Sequence, residues 1–411
     1  MTDGAPGAGS GAGLPGRIVI AGAGLAGLRT AEELRGRGYS GSITLIGAEH
    51  RPPYDRPPLS KQLMLGKADD TTLLSAESGL EVDLRLGERA EGFEADGQRG
   101  GLLRSDRGSH RFDRLVLATG ARPVSLPGQG RQRFLRTMDD ALALRALLRP
   151  GLRLAIVGAG WIGAELATAA AAAGAAVTVV EAGPAPLAAA LGADIGKLTV
   201  PWYAAAGVDL RLSTPVASVE DGGLALADAG WLAADEIVTA VGVRPATDWL
   251  AGTGAALDRG AVAVDEQLRS SVPGVFAVGD CAAFWSPRYQ ARIRGEHWDV
   301  ALRAPAVAAA NLLGGSETYD PVLYIWSEQF GRMIQYAGRH TSADQRVFRG
   351  DPAGSRWAAG WLDERGRLTA LLTVDAPRDS VQGRRLIESG AVIDPGRFAD
   401  PAVPVRAAVL S

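Results

Sequence analysis

Two stretches of this 411-residue chain repeat one arrangement, and the repetition limits the folds open to it more than any other feature. In the first, the apolar run Arg17 to Ala21 breaks into Gly22-Ala23-Gly24-Leu25-Ala26-Gly27, a helical pattern follows through Leu34, and Ile43 to Ile46 reads as a second strand. In the second, Leu154 to Val157 leads into Gly158-Ala159-Gly160-Trp161-Ile162-Gly163, an Ala-rich helix to Ala173, and the strand Val177 to Val180. In such a βαβ unit the first glycine permits a tight turn, the second lets backbone approach a pyrophosphate, and the third lets helix and strand pack closely. The phosphates then rest on the positive end of the helix. A single GxGxxG in a chain with 54 glycines carries little weight. Two matches, each set between strand and helix, predict two Rossmann-like nucleotide-binding domains.

Each unit also calls for an acid about 20 residues on that accepts hydrogen bonds from a ribose. Glu181, at the end of the second strand of the second unit, fits that place. Its carboxylate repels a 2′-phosphate and no arginine stands beside it, so NADH is expected over NADPH. In the first unit the candidate is Glu49, slightly beyond the apolar run, which reads equally as a solvated loop acid.

Leu115 to Ala118 ends in Thr119-Gly120, and Ile237 to Ala240 ends in Val241-Gly242; both look like strands returning to a sheet. Val275 to Val278 stops at Gly279-Asp280, and a helical run from about Asp299 to Leu313 is closed by Gly314-Gly315. From Tyr324 onward the pattern alternates aromatic and β-branched residues, predicting a small antiparallel sheet with helices.

The segment Pro53-Tyr54-Asp55-Arg56-Pro57-Pro58-Leu59-Ser60-Lys61 resembles the bacterial ferredoxin and rubredoxin reductases, which are related to glutathione reductase and putidaredoxin reductase. So do Leu117-Ala118-Thr119-Gly120-Ala121-Arg122-Pro123, Val278-Gly279-Asp280, Glu296-His297-Trp298 and Ile325-Trp326-Ser327-Glu328-Gln329. The resemblance implies an α/β fold with an FAD domain (17–122 and 246–322) split around an inserted NAD domain (123–245), and a C-terminal α+β interface domain (323–411). It implies electron flow from NADH through FAD to a small ferredoxin-like protein serving a cytochrome P450 or an oxygenase.

Carried over position by position, Gly22, Gly24 and Gly27 would meet the FAD pyrophosphate, with Arg56 and Lys61 toward the flavin end. Thr119 and Gly120 would close over the adenosine side, with Arg122 beside them, and Gly279 and Asp280 would approach the ribityl or phosphate region. Gly158, Gly160, Gly163 and Gly242 fall to NADH. Glu165 would pair with Lys61 near the nicotinamide, although alone it reads as a first-turn helix acid. Lys61 is one of three lysines against forty arginines, so a lysine kept at this place is not an interchangeable surface cation. Glu296, His297 and Trp298 precede a helix whose N–H groups would face the flavin, with Trp298 where a protein partner docks. Asp299-Val300 after Glu296-His297-Trp298, and Trp161 in the second loop, depart from the family pattern and weaken any statement about which partner docks.

Other features narrow the chemistry. A net charge of −3 and a pI near 5.9 argue against nucleic-acid binding or a polybasic membrane contact. Cys281 is the single cysteine, which leaves no intramolecular redox pair, and it reads as a packing residue. The four histidines, His50, His110, His297 and His340, are scattered without ligand spacing, so no metal site is expected; His50 and His340 read as exposed loop residues. Residues 1–16 read as a flexible tail, and no run approaches the roughly 18 apolar residues of a membrane span, so a cytoplasmic protein is expected. Arg288, Arg292, Arg294 and Arg332 are candidates for steering an acidic ferredoxin, offset by Glu296, Asp299 and Glu328. Two alternatives stay open: an NADH oxidase or peroxidase using the flavin or Cys281, and an NADH-sensing flavoprotein like the apoptosis-inducing-factor relatives. Oligomeric state is not legible.

Overall fold

The computed structural model describes residues 14–73, 79–97 and 100–410; most of the expected tail, 1–16, lies outside the described residues. Ile18, Val19, Ile20 and Ala21 of the strand Arg17–Ala21 are all buried. A strand whose sheet is covered on both faces, here by the helix Leu25–Gly36 and by strands that bring in Phe93, Leu103 and Phe112, has no solvent side, so its apolar run is continuous rather than alternating. This strand is the centre of a five-stranded parallel sheet ordered Val275–Ala277, Arg114–Leu117, Arg17–Ala21, Ser42–Gly47, Asp83–Leu86. Its outer strand Val275–Ala277 joins it although the whole second unit lies between the two in the chain. The helix Leu25–Gly36 packs along Trp298–Leu312, and residues from both segments share one hydrophobic core.

The second unit repeats the plan with four parallel strands, Asp209–Arg211, Ala176–Val180, Arg153–Val157 and Glu236–Thr239. The helix Trp161–Ala172 follows its loop. Chain enters and leaves this unit through two short antiparallel strands, Ala121–Pro123 and Val243–Pro245, bonded to each other. The expected boundaries after 122 and 245 fall inside this pair. Two three-stranded antiparallel sheets absent from the sequence reading decorate the units: Ala90–Ala95, Gly101–Ser105 and Gly108–Phe112 on the first, and Val216–Glu220, Gly223–Leu226 and Trp231–Ala233 on the second.

The C-terminal region is a five-stranded antiparallel sheet ordered Tyr324–Gln329, Arg332–Gly338, Leu368–Val374, Trp357–Leu362, Gln345–Arg349, with the helix Pro377–Ser389 against it. His340 lies in a loop, as expected, but is half-buried rather than exposed. Its ring stacks on Trp361 with centroids 4.3 Å apart and its Nδ1 lies 2.7 Å from the Tyr336 hydroxyl, because the turn folds back over the sheet. His50 is exposed, as read. No helix among the described residues is long and apolar enough to cross a membrane, and no group of three or more potential metal ligands occurs among them.

Candidate functional site

The two glycine loops share one geometry. Gly22 has φ +123° and Gly158 φ +104°, a region that favours glycine, and an added Cβ would fall 2.1 Å from the Ala118 carbonyl oxygen in the first case and 2.5 Å from that of Ala240 in the second. A Cβ on Gly27 would meet Gly22 O at 1.9 Å, and one on Gly163 would meet Gly158 O at 2.0 Å. Gly24 and Gly160 are N-caps in extended conformation, and neither helix start carries a capping side chain or a first-turn acid. The unsatisfied N–H groups and positive helix end are therefore open to an anion at both loops.

Around the first loop the chain builds a cavity of about 340 Å³, lined by Gly22, Gly24, Glu49, Arg56, Thr119 and Arg122 among others. Glu49 accepts a 2.6 Å hydrogen bond from the Tyr54 hydroxyl and lies 2.8 Å from Arg56. Burial, opposed by Arg56 and helped by Glu49, pushes the Tyr54 phenol up to about 12, so it stays a donor. The Arg56 guanidinium is 3.1 Å from where a Gly24 Cβ would be. Thr119 donates to Ala246 O at 2.8 Å, and Gly120 has φ +70°. Arg122 pairs with Asp248 at the rim. Asp280, in the short turn Gly279–Cys281, is held 2.8 Å from Arg136, which also lines the cavity. Gly279 has φ +71°, and a Cβ there would sit 3.0 Å from the Ala26 side chain.

The second loop is open. Nothing lies within 4 Å of a Cβ built on Gly160, and Ile162 in the first turn is exposed. Glu181 spends both carboxylate oxygens on the loop backbone, accepting from Ala159 N and Gly183 N at 2.7 Å each. Gly242, with φ +105°, follows the strand beside it.

Between the loops lies a buried polar knot. The turn Pro57–Ser60 sends Arg56 and Lys61, which the sequence placed together, in opposite directions: Arg56 to the first loop, Lys61 to the helix of the second. Lys61 Nζ is 2.8 Å from Glu165 Oε2, and the residues are 6% and 3% exposed. Ser60 donates to the same oxygen, and Ser327 donates to Glu165 Oε1 at 2.5 Å. Trp326 lies against the ammonium, its ring centroid 4.5 Å from Nζ, a cation–π contact. Three segments far apart in the chain thus converge on one carboxylate. Ser60, Ser327 and Trp326 were missed as site residues, though each sits inside a motif the sequence singled out.

Trp298 opens the helix Trp298–Leu312 and donates its indole N–H to Asp55 at 2.7 Å. Asp55 is pushed up by burial, against the pull of that bond. The neighbours Glu296 and His297 are shifted in opposite directions by one cause: burial raises the carboxyl of Glu296, which Arg294 opposes, and lowers the imidazole of His297. The four candidate steering arginines are committed elsewhere. Arg288 donates to Ile387 O and Glu388 O, Arg292 to Val264 O and Ala283 O, Arg294 pairs with Glu296, and Arg332 lies over the Trp202 ring. Cys281 is fully buried, with Sγ 3.3 Å from Leu117 O, and burial raises its thiol pKa.

Residues 16–304 match the pyridine nucleotide-disulphide oxidoreductase family, and residues 324–409 match the reductase C-terminal family. The chain belongs to the pyridine nucleotide-disulphide oxidoreductase family. Despite that description, one buried cysteine leaves the described chain without a disulfide of its own to reduce. Among curated relatives, the chain is 35% identical to the ferredoxin–NAD(+) reductase component of an anthranilate 1,2-dioxygenase system from Burkholderia cepacia, over 95% of this chain and 98% of that protein. Rhodocoxin reductase from Rhodococcus erythropolis is also 35% identical, with 95% and 94% covered. Among solved structures, that of Fdr9 is 50% identical with a TM-score of 0.90, over 95% and 99% of the two chains. The reductase of a covalent putidaredoxin reductase–putidaredoxin complex is 29% identical with a TM-score of 0.89, over 95% and 97%.

Proposed function

We propose that this oxidoreductase is an NADH-dependent ferredoxin reductase that holds FAD on the first glycine loop and takes NADH on the second. Residues 17–122 and 246–322 then form the FAD domain, 123–245 the NAD domain, and 323–411 the domain over the flavin. The observation that carries the reading is the Lys61–Glu165 pair, which joins the segment after the first unit to the helix of the second. Two loops alone would serve many two-nucleotide proteins; a buried charged link between them supports a meeting of the two nucleotides at that point. Full-length relatives named as reductase components of oxygenase systems support the electron acceptor. A cytoplasmic site of action accords with a soluble electron donor and acceptor.

The residues fit the cofactor. The cavity of about 340 Å³ at the first loop, with Arg56 against Gly24, suits a dinucleotide that stays, whereas the second loop, where Gly160 faces open space, suits one that comes and goes. FAD, when bound, supplies the means to accept two electrons with a hydride and release them singly. The chain does the rest: the first-loop N–H groups receive a pyrophosphate, Glu49 and Asp280 offer acceptors to hydroxyls, and Glu181 sets the second loop and disfavours a 2′-phosphate. Lys61, Glu165 and Trp326 wall the junction and exclude water from it. An oxidase or peroxidase route through Cys281 is disfavoured by its complete burial and raised thiol pKa, since reactivity needs an accessible thiolate.

The test is anaerobic stopped-flow. NADH should bleach the purified yellow protein faster than NADPH does, and an added ferredoxin should restore the colour. No bleaching by NADH would end the proposal; a preference for NADPH would end only the reading of Glu181.

A further inference from the structure

The geometry points to Ser327 as a positioning residue for hydride transfer, by which the C-terminal domain sets the orientation of Glu165 and through it of Lys61. This rests on the reading above that the Lys61–Glu165 pair lies where the two nucleotides meet.

A buried carboxylate needs its lone pairs occupied, and which oxygen faces which donor decides how it is turned. In Glu165 the division is unequal. Oε2 takes both Ser60 and Lys61, whereas Oε1 takes Ser327, which is itself 0% exposed. The terminal torsion of a glutamate is broad and roughly two-fold, so donors on one oxygen alone leave the plane of the carboxylate weakly defined. Ser327 supplies the second point and fixes it.

The direction of the serine proton is also determined. A hydroxyl has one donor hydrogen, and the Ser327 oxygen accepts a 3.0 Å bond from Gln329 Nε2, which is 1% exposed. The Ser327 O–H is thereby left to point at Glu165. Ser327 and Gln329 lie two apart on the strand Tyr324–Gln329 and so face the same side of the sheet, whereas Trp326, just before Ser327, points the other way along the pleat and still borders Lys61. A second tie keeps this strand end in register with the helix that carries Glu165: Phe330 N donates to Thr168 Oγ1 at 3.0 Å. The C-terminal sheet is thus bonded to the second-loop helix at two successive points, one of which is the carboxylate itself. Lys61, with its Nζ on Glu165, is placed by whatever places that carboxylate.

The experiment is a double-mutant cycle on the FAD-loaded full chain, read as the limiting rate of flavin reduction at saturating NADH and the NADH concentration for half-saturation. Ser327→Ala should lower the limiting rate about tenfold, the value of one hydrogen bond to a charged group, with half-saturation little changed. In a Glu165→Gln background the same substitution should cost less than about twofold, because the residue through which it acts is already altered. Ser60→Ala is the contrasting variant: Lys61 still holds Oε2 and Ser327 still holds Oε1, so it should lower the limiting rate less than Ser327→Ala does, with all rates expressed per bound flavin. The inference is overturned if Ser327→Ala leaves the limiting rate unchanged, or if its effect is equally large in the Glu165→Gln background. Where Glu165→Gln slows reduction and Ser327→Ala does not, only the role of Ser327 falls. Where neither variant slows it, the placement of the ion pair at the nucleotide junction falls as well.

Discussion

The two glycine loops are nearly superposable in backbone and differ in everything around it. Their N-cap glycines sit at φ −86°, ψ −169° and φ −76°, ψ −166°. Yet Gly24 has Arg56 against it and lines the cavity, while Gly160 faces open space. Two residues past the third glycine, the first helix carries Arg29, paired with Glu32 on the surface, and the second carries Glu165, buried in the central knot. Backbone geometry therefore says that a loop receives a pyrophosphate. The surroundings say how long the ligand stays and what it meets.

Exchanging the small residues should break the symmetry most visibly. Gly22→Ala forces a Cβ into the Ala118 carbonyl at a positive φ and should yield colourless protein lacking FAD, measured by absorbance after purification. Gly160→Ala meets no atom and keeps an ordinary φ, so it should remain yellow while the half-saturating NADH concentration rises roughly tenfold through crowding of the pyrophosphate. A yellow Gly22→Ala or a colourless Gly160→Ala would reverse the assignment of the loops.

The ion pairs beside the loops sharpen the contrast energetically. Lys61→Met leaves a carboxylate that is 3% exposed without its cation and should cost about 3 kcal/mol in urea unfolding. Arg56→Met removes a pair whose partners are about a third exposed and should cost less than about 1 kcal/mol. A smaller effect follows for specificity. Glu181→Ala should narrow the preference for NADH over NADPH about tenfold, one such unit being about 1.4 kcal/mol, while Glu49→Ala should leave it alone.

The smallest effect concerns pH. His297 has a folded pKa below its usual 6.5, so the unfolded chain takes up its proton first as the medium acidifies. Its contribution is whole above pH 6.5 and is lost as pH falls toward the lowered folded value. His297→Gln should therefore reduce the fall in Tm between pH 7.5 and 5.5 by less than about 1 °C, the shift that a fraction of a kcal/mol produces in a chain of 411 residues. Glu296 next to it runs the other way: its raised carboxyl pKa favours the fold at low pH, and that benefit fades as pH rises through the raised value. An unchanged pH profile in His297→Gln would show that the imidazole is solvated in the folded protein.

The sequence carried the local part of this architecture well. Arg17–Ala21 is read to the residue, and the strands around the second loop and the end of its helix to within one residue, because glycine punctuation and continuous apolar runs are signals within a dozen positions; the helix itself starts at Trp161, inside the glycine motif rather than after it. What it did not carry depends on neighbours distant in the chain. The strands Ala90–Ala95 and Gly108–Phe112 mix charged and small residues and become strands through pairing with Gly101–Ser105. His340 reads as exposed because Trp361, against which this loop residue stacks, comes from another strand. The arginines offered for docking read as surface charges offset by nearby acids, whereas backbone carbonyls and a ring from other segments hold Arg288, Arg292 and Arg332. Ser327 was quoted inside a motif yet given no role, since nothing nearby in the sequence reveals that a carboxylate on a different helix awaits its proton.

The outer strand Val275–Ala277 has a consequence for the newly made chain. The second unit is complete once Glu236–Thr239 has emerged from the ribosome, while the first must wait with the edge of Arg114–Leu117 unpaired until Val275–Ala277 arrives. The middle of the polypeptide can therefore close before its beginning, and the exposed edge is the point at which a growing chain is most open to pairing with the wrong strand.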